Sequence, residues 1–263
     1  MQAAFIEHTG GPENIQFGEL PDPLPQPGEV LVRVGASSVN PIDTYVRGGM
    51  VAAELPVPFV VGSDLAGTVE AVGEGVTEFA VGDRVWGANQ GGHGRQGTAA
   101  ELACVGAEWL YSTPEGISDE EAAAVALVGI TAHIGLVLKA NLQPGETVFV
   151  NGGAGGVGSM VVQISKAIGA QVIATAGSDE RVAKAAELGA DEVLNYKTDD
   201  VTARVAEIAP DGVDVLWETR RETDLDWAVS ILAKRGRLVL MAGREARPVL
   251  PVGPLYVKDC SVH

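Results

Sequence analysis

Cysteine is nearly missing from this chain: among 263 residues only Cys104 and Cys260 carry thiols, and they stand far apart. With no Cys-x-x-Cys pair, a single chain can build neither a disulfide framework nor a four-thiolate zinc site. Histidine is scarce too, at positions 8, 93, 133 and 263, and no two share a metal-ligand spacing. Basic residues are few, 18 Lys and Arg against 35 Asp and Glu, for a formal charge of −17. Such a field repels polyanions and excludes nonspecific binding to nucleic acid or anionic membranes. It still leaves room for a local basic pocket that takes one small anion. Met1 to Glu7 lacks the basic-then-apolar build of a secretory leader. The most lipophilic stretch, Ala122 to Leu138, is interrupted by Thr131 and His133 and contains two glycines, so it predicts a buried helix rather than a membrane span. The expected compartment is the cytoplasm, where thiols stay reduced.

Glycine, by contrast, is plentiful at 34 residues, and its placement divides the chain. Up to about Ser118 the texture is short strands between turns. Val30 to Val34 alternates apolar and polar residues after Pro27-Gly28-Glu29, Ala66 to Val72 does the same, and Val85-Trp86 follows another glycine turn. From Ser118-Asp119-Glu120-Glu121, a capping-box start, the pattern becomes helical. Beyond it strands and helices alternate. Strands are expected at Thr147 to Val150, Gln171 to Thr175, Glu192 to Asn195, Val213 to Trp217 and Arg237 to Met241, with helices between them. That alternation predicts an α/β fold with a doubly wound parallel sheet behind a mostly β domain. The expected division is 1–122 and 123–263.

Between the first strand of the repeating half and its helix lies Asn151-Gly152-Gly153-Ala154-Gly155-Gly156-Val157-Gly158. Gly153, Gly155 and Gly158 form Gly-x-Gly-x-x-Gly. Glycine is needed there for a tight turn, for close approach of the backbone to a diphosphate, and for helix–strand packing. The helix amino terminus then offers free N–H groups to the anion. No Lys-Ser or Lys-Thr follows, which disfavours a triphosphate loop. The tip of the second strand, Ala174-Thr175-Ala176-Gly177-Ser178, has no carboxylate to take the ribose 2′-hydroxyl of NAD. Ser178, Arg181 and Tyr196 can instead receive a 2′-phosphate, so NADPH is the preferred cofactor. Asp179, one residue on, keeps NAD open.

Taken together, these residues resemble the zinc-free quinone oxidoreductase (zeta-crystallin-like) branch of the medium-chain dehydrogenase/reductase superfamily. The resemblance rests on Gly11-Pro12-Glu13, Pro27 to Val30, Val39 to Tyr45, Gly62 to Gly67, Val81 to Val85, Gly129 to Ala132, Gly153 to Gly158 and Asn195-Tyr196, in the family's order. It implies a GroES-like catalytic domain ahead of a Rossmann domain, substrate in a cleft between them, and hydride transfer from NADPH to a quinone or related conjugated carbonyl. It places Pro41, Ile42, Thr44 and Tyr45 beside the nicotinamide, Thr131 near the cofactor, and Gly153, Gly155, Gly156, Val157 and Gly158 at the diphosphate. Gly177, Ser178, Arg181 and Tyr196 would surround the 2′-phosphate, and Met241, Ala242, Gly243 and Arg244 would follow the nicotinamide ribose. Zinc-dependent relatives have Cys where Asn40 stands and Gly-His-Glu where Gly62-Ser63-Asp64 stands, so no metal is expected. Tyr45 and Asn40 are candidate hydrogen-bond donors to the acceptor oxygen, with Asp43 orienting them. Asn40 and Asp43 also read as turn-capping residues.

Two departures stand out. Trp217-Glu218-Thr219-Arg220-Arg221 replaces a small glycine-containing turn, and the chain stops at His263, where the family fold continues through a sixth strand. The resemblance implies a homodimer if the full-length fold is present. Two other functions stay open: an enone or enoyl reductase of the same fold, and a catalytically silent NADPH-binding protein.

Overall fold

A computed structural model describes the whole chain except residues 52, 53, 221, 242 and 244. Two compact units emerge, Met1–Leu127 and Val128–His263.

In the first unit, β1 (Gln2–Ile6), β2 (Gln16–Glu19), β3 (Glu29–Ala36) and a short helix α1 (Pro41–Arg47) lead to β4 (Phe59–Val60) and β5 (Leu65–Val72). After β6 (Arg84–Gly87), β7 (Leu102–Gly106) and β8 (Leu110–Ser112) comes the start of α2 (Asp119–His133). Five strands form an antiparallel sheet in the order β7-β3-β5-β6-β8, and a smaller sheet has the order β2-β1-β4. Period-two alternation puts Val30, Val32, Leu65, Val69, Val85 and Val105 into one core. The capping box is made on both sides: the Glu121 N–H donates to Ser118 Oγ at 3.1 Å, and the Ser118 N–H to Glu121 Oε2 at 2.8 Å.

α2 runs past the point where alanine enrichment fades and continues into a π-type turn, Ile134–Lys139. Its burial differs from expectation. The stretch 119–139 is long and apolar enough to cross a membrane by length and composition, and only about a third of its most apolar window is buried. Ala122, Ala123, Ala126, Ala132 and Leu136 face protein, while Val125, Val137 and Leu138 are exposed. Periodicity, not total apolarity, decides which residues are covered.

The second unit is built from β9 (Thr147–Asn151), α3 (Gly156–Ile168), β10 (Gln171–Ala176), α4 (Asp179–Glu187), β11 (Glu192–Asn195) and α5 (Val201–Ile208). Then follow β12 (Val213–Glu218), α6 (Leu225–Ile231), β13 (Leu232–Leu240), α7 (Val252–Lys258) and β14 (Ser261–Val262). The sheet is parallel, in the order β11-β10-β9-β12-β13-β14. Strand order reverses between β9 and β12, which puts the ligand crevice of this topology at their carboxyl ends. Expected to lack its sixth strand, the sheet has a short one: Ser261 and Val262 pair with Arg237 and Leu238. Lys258 steadies that segment, its Nζ donating to the carbonyls of Val229, Ser230 and Leu232 at 3.0, 2.8 and 2.7 Å. Two apolar layers sandwich the sheet, one containing Val148, Val150, Val161, Val172 and Trp217, the other Phe149, Ile173, Leu216 and Leu238.

Candidate functional site

The glycine turn joins β9 to α3 as a strand-to-helix elbow. Gly152 is left-handed, with φ +88°, and its N–H donates to Thr175 Oγ1 at 3.1 Å. A Cβ on Gly158 would lie 2.0 Å from the Gly152 carbonyl oxygen, and one on Gly153 would lie 2.7 Å from Ala174 Cβ. Those contacts explain why helix and strand can sit so close. Gly155 caps α3 without a side-chain hydrogen bond, and among the described residues no side chain takes the first-turn amides of Gly156, Val157 and Gly158. The cradle therefore fits a diphosphate, by the first-turn amides of a helix and its dipole together.

The tip of β10 assembles a second group. A Cβ on Gly177 would sit 2.2 Å from the Tyr196 hydroxyl, which lies over that glycine. Ser178 is the amino-terminal cap of α4, its Oγ accepting from the Arg181 N–H at 3.5 Å. Arg181 is exposed on the first turn, with no ion pair among the described residues. Asp179 is engaged elsewhere, its Oδ1 accepting from Asn195 Nδ2 at 2.9 Å.

Near the carboxyl end of β12, Glu218 is fully buried, and Arg220 donates to it from its main-chain N–H at 2.8 Å and from Nη2 at 2.9 Å. In the sequence these residues stand out as a departure from a small glycine-containing turn, with charges where an apolar strand ends. A cavity of about 390 Å³ opens beside them, lined in part by Asn151, Thr175, Tyr196, Arg220, Asp224 and Trp227. Met241 follows β13 and donates its N–H to the Glu218 carbonyl at 2.9 Å. Gly243 is described, whereas Ala242 and Arg244 lie outside the described residues. Thr131 stands half-buried on α2.

In the first unit, α1 exists because Pro41 pre-sets the backbone at its first position and Asp43 caps it. Asp43 Oδ2 accepts from the Asn40 N–H at 2.6 Å, and Ser63 Oγ donates to Asp43 Oδ1. Pro41, Ile42 and Thr44 are exposed, and Tyr45 is half-buried. Asn40 is buried, its Nδ2 donating to Asp64 Oδ2 at 2.8 Å and to Ser38 Oγ at 3.4 Å. Asp64 Oδ2 also accepts from Ser38 Oγ at 2.7 Å and from the Leu127 N–H at 3.3 Å. Among the described residues Asp64 Oδ1 is buried with no hydrogen-bond partner. Burial pushes the Asp64 carboxyl above its ordinary range, against the hydrogen bonds from Ser38 and Asn40. Asp43 is raised likewise by burial, opposed by Ser63 and Asn40. In the sequence Asp64 stands out only as part of the Gly62 to Gly67 segment that carries the resemblance. Among the described residues no three His, Cys, Asp or Glu side chains converge as a metal-binding set.

Comparison with known proteins agrees with this architecture. Residues 26–115 match the family described as alcohol dehydrogenase GroES-like domain, and residues 156–263 match zinc-binding dehydrogenase. A quinone oxidoreductase of Pseudomonas aeruginosa is 38% identical over 258 residues, 94% of this chain and 77% of that protein. A 2-haloacrylate reductase of a Burkholderia species is 35% identical over 243 residues, 90% of this chain and 71% of that protein. The crystal structure of Escherichia coli quinone oxidoreductase complexed with NADPH is 30% identical with a TM-score of 0.86, covering all of this chain and 80% of that one. With its GroES-like unit, its parallel sheet ordered 3-2-1-4-5-6 and its glycine elbow, the chain belongs to the quinone oxidoreductase branch of the medium-chain dehydrogenase/reductase superfamily, an NAD(P)-dependent oxidoreductase acting on a small molecule.

Proposed function

We propose that this is a cytoplasmic NADPH-dependent reductase that passes hydride to quinones or related conjugated carbonyls without a metal ion. One observation carries the choice of cofactor. At the tip of β10 the Tyr196 hydroxyl lies over Gly177, Ser178 caps α4 and the exposed Arg181 stands on the first turn of that helix, while Asp179, which could hold an NAD ribose, is bound to Asn195. Two hydroxyls and a guanidinium suit a 2′-phosphate; a carboxylate would repel it. The amides of Gly156, Val157 and Gly158 would hold the diphosphate, and Thr131, Met241 and Gly243 would follow the nicotinamide half.

Bound there, the reduced nicotinamide supplies the hydride. The chain supplies placement and hydrogen bonds to the acceptor oxygen as charge develops on it. Both Asn40 amide hydrogens point inward to Asp64 and Ser38, which gives Asn40 an anchoring role and leaves the Tyr45 hydroxyl as the donor. Asp43, held by Ser63, fixes the start of the helix that presents Tyr45. Asn40 and Ser63, which on the family resemblance replace a Cys and a His of zinc-dependent relatives, are engaged with Asp64 and Asp43 respectively.

A second reading, reduction of an activated carbon–carbon double bond, draws support from the likeness to 2-haloacrylate reductase. Steady-state oxidation of NADPH with 1,4-benzoquinone, 9,10-phenanthrenequinone and 2-chloroacrylate separates the two. Turnover of either quinone, unchanged by EDTA, is the expected result. Turnover of 2-chloroacrylate alone favours the second reading. NADPH binding without any oxidation would make the chain a silent binding protein, and loss of activity in EDTA would overturn the metal-free mechanism.

A further inference from the structure

Glu218 and Asn151 face each other in register at the carboxyl ends of β12 and β9, the two strands between which the sheet order reverses. Both are buried, Glu218 completely. From them runs one connected line of hydrogen bonds. The guanidinium of Arg220 donates to Glu218, through Nη2 at 2.9 Å and Nε at 3.2 Å. Asn151 Nδ2 donates to Glu218 Oε2 at 3.0 Å. Thr175 Oγ1 donates to Asn151 Oδ1 at 2.8 Å and accepts the N–H of Gly152 at 3.1 Å.

Every direction in this line follows from the carboxylate. Glu218 can only accept, so Asn151 must turn its amide nitrogen toward it and present its oxygen to Thr175. The threonine hydroxyl then spends its proton on Asn151 and keeps a lone pair for the Gly152 amide. Arg220 is the counter-charge for Glu218 and stacks over the Trp227 ring at 5.8 Å. Gly152 is the left-handed residue at which the chain leaves β9 for the diphosphate elbow, and its carbonyl oxygen lies against Gly158.

We infer that Arg220 is a positioning residue for dinucleotide binding, setting the diphosphate elbow through Glu218, Asn151 and Thr175. The inference rests on the dinucleotide reading above and adds a group that the glycine motif does not contain. Removing one partner of a buried pair leaves its charge uncompensated, whereas removing both charges together need not. Arg220→Gln strands the carboxylate. Glu218→Gln added to it keeps an acceptor oxygen for Asn151 and removes the charge.

The test is calorimetric titration of the full chain with NADPH and, separately, with adenosine 2′-phosphate, which has no diphosphate. Arg220→Gln is expected to weaken NADPH binding about tenfold and to leave adenosine 2′-phosphate binding within twofold. The Glu218→Gln/Arg220→Gln pair is expected to recover NADPH affinity to within about threefold of wild type. Should Arg220→Gln fail to fold, Arg220→Lys, which keeps the charge and loses the fork, is expected to weaken NADPH about threefold with the same sparing of adenosine 2′-phosphate. Wild-type NADPH affinity in the single variant, equal loss of both ligands, or no recovery in the double variant overturns the relay and leaves the dinucleotide reading standing. Wild-type protein that binds neither ligand overturns the dinucleotide reading itself, and the relay with it.

Discussion

A methyl group placed on Gly155 tests how the diphosphate is held. The Gly155 backbone, at φ −82° and ψ 172°, suits any L residue. A Cβ there would meet only the Gly152 carbonyl oxygen, at 3.3 Å. Gly155→Ala should therefore cost the fold little, about 0.5 kcal/mol. On the function proposed above, the same methyl intrudes where diphosphate oxygens approach the main chain. Overpacking costs about 1–3 kcal/mol, which is roughly ten- to hundredfold in Kd. Gly158 supplies the contrast. Its added Cβ would lie 2.0 Å from the Gly152 carbonyl oxygen and 3.2 Å from Gly153 Cα, both main chain, so Gly158→Ala has to deform the elbow and should lose about 2–3 kcal/mol of stability as well. Thermal unfolding and NADPH titration of the two variants, side by side, decide the matter. Gly155→Ala protein that binds NADPH as tightly as wild type, or that loses as much stability as Gly158→Ala, would refute the reasoning.

Other consequences are as direct. Because burial holds the Asp64 carboxyl above its ordinary range, the folded chain binds that proton more tightly than the unfolded chain, and stability falls as pH rises from about 3.9 toward the folded value. Asp64→Asn keeps an oxygen for Ser38, Asn40 and Leu127 and removes the charge. It should be more stable than wild type above that window by about 1 kcal/mol, with the gap closing in acid; melting curves across pH that stay parallel would contradict this. Arg181→Ala should weaken NADPH about tenfold and leave NADH unchanged. Equal affinity of the wild type for the two cofactors would remove the assigned 2′-phosphate site. Burial pushes the Cys104 thiol up to about 12, so iodoacetamide at pH 8 should modify it only after unfolding; rapid labelling of the native protein, located by peptide mass, would show otherwise.

Much of the second unit is legible in its residues because local chemistry and long-range packing ask for the same thing. Ser118 and Glu121 announce α2 and make both bonds of the box. Strands from β9 to β12 appear within a residue of their expected ends, since each is an apolar run closed by a glycine, an asparagine or a charge. α1 is not legible. Pro41–Arg47 is too short for a repeating apolar face and contains Ile42, Thr44 and Val46, which are stiff in helices; it forms through Pro41 and the Asp43 cap. The cradle could be read because glycine spacing is a main-chain requirement. The line from Arg220 to Gly152 could not, because its members lie up to 69 residues apart in the chain and meet only when β9, β10 and β12 pair.

Lys258 gathers three carbonyls at the end of a helix only seven residues long, and Trp227, on the first turn of that helix, lines the cavity beside Arg220. About one turn separates the grip from the wall. Neutralising that ammonium, for example by acetylation, would strip the far end of α6 of its donors, so a chemical change at Lys258 would be felt as looseness in the floor on which Arg220 rests.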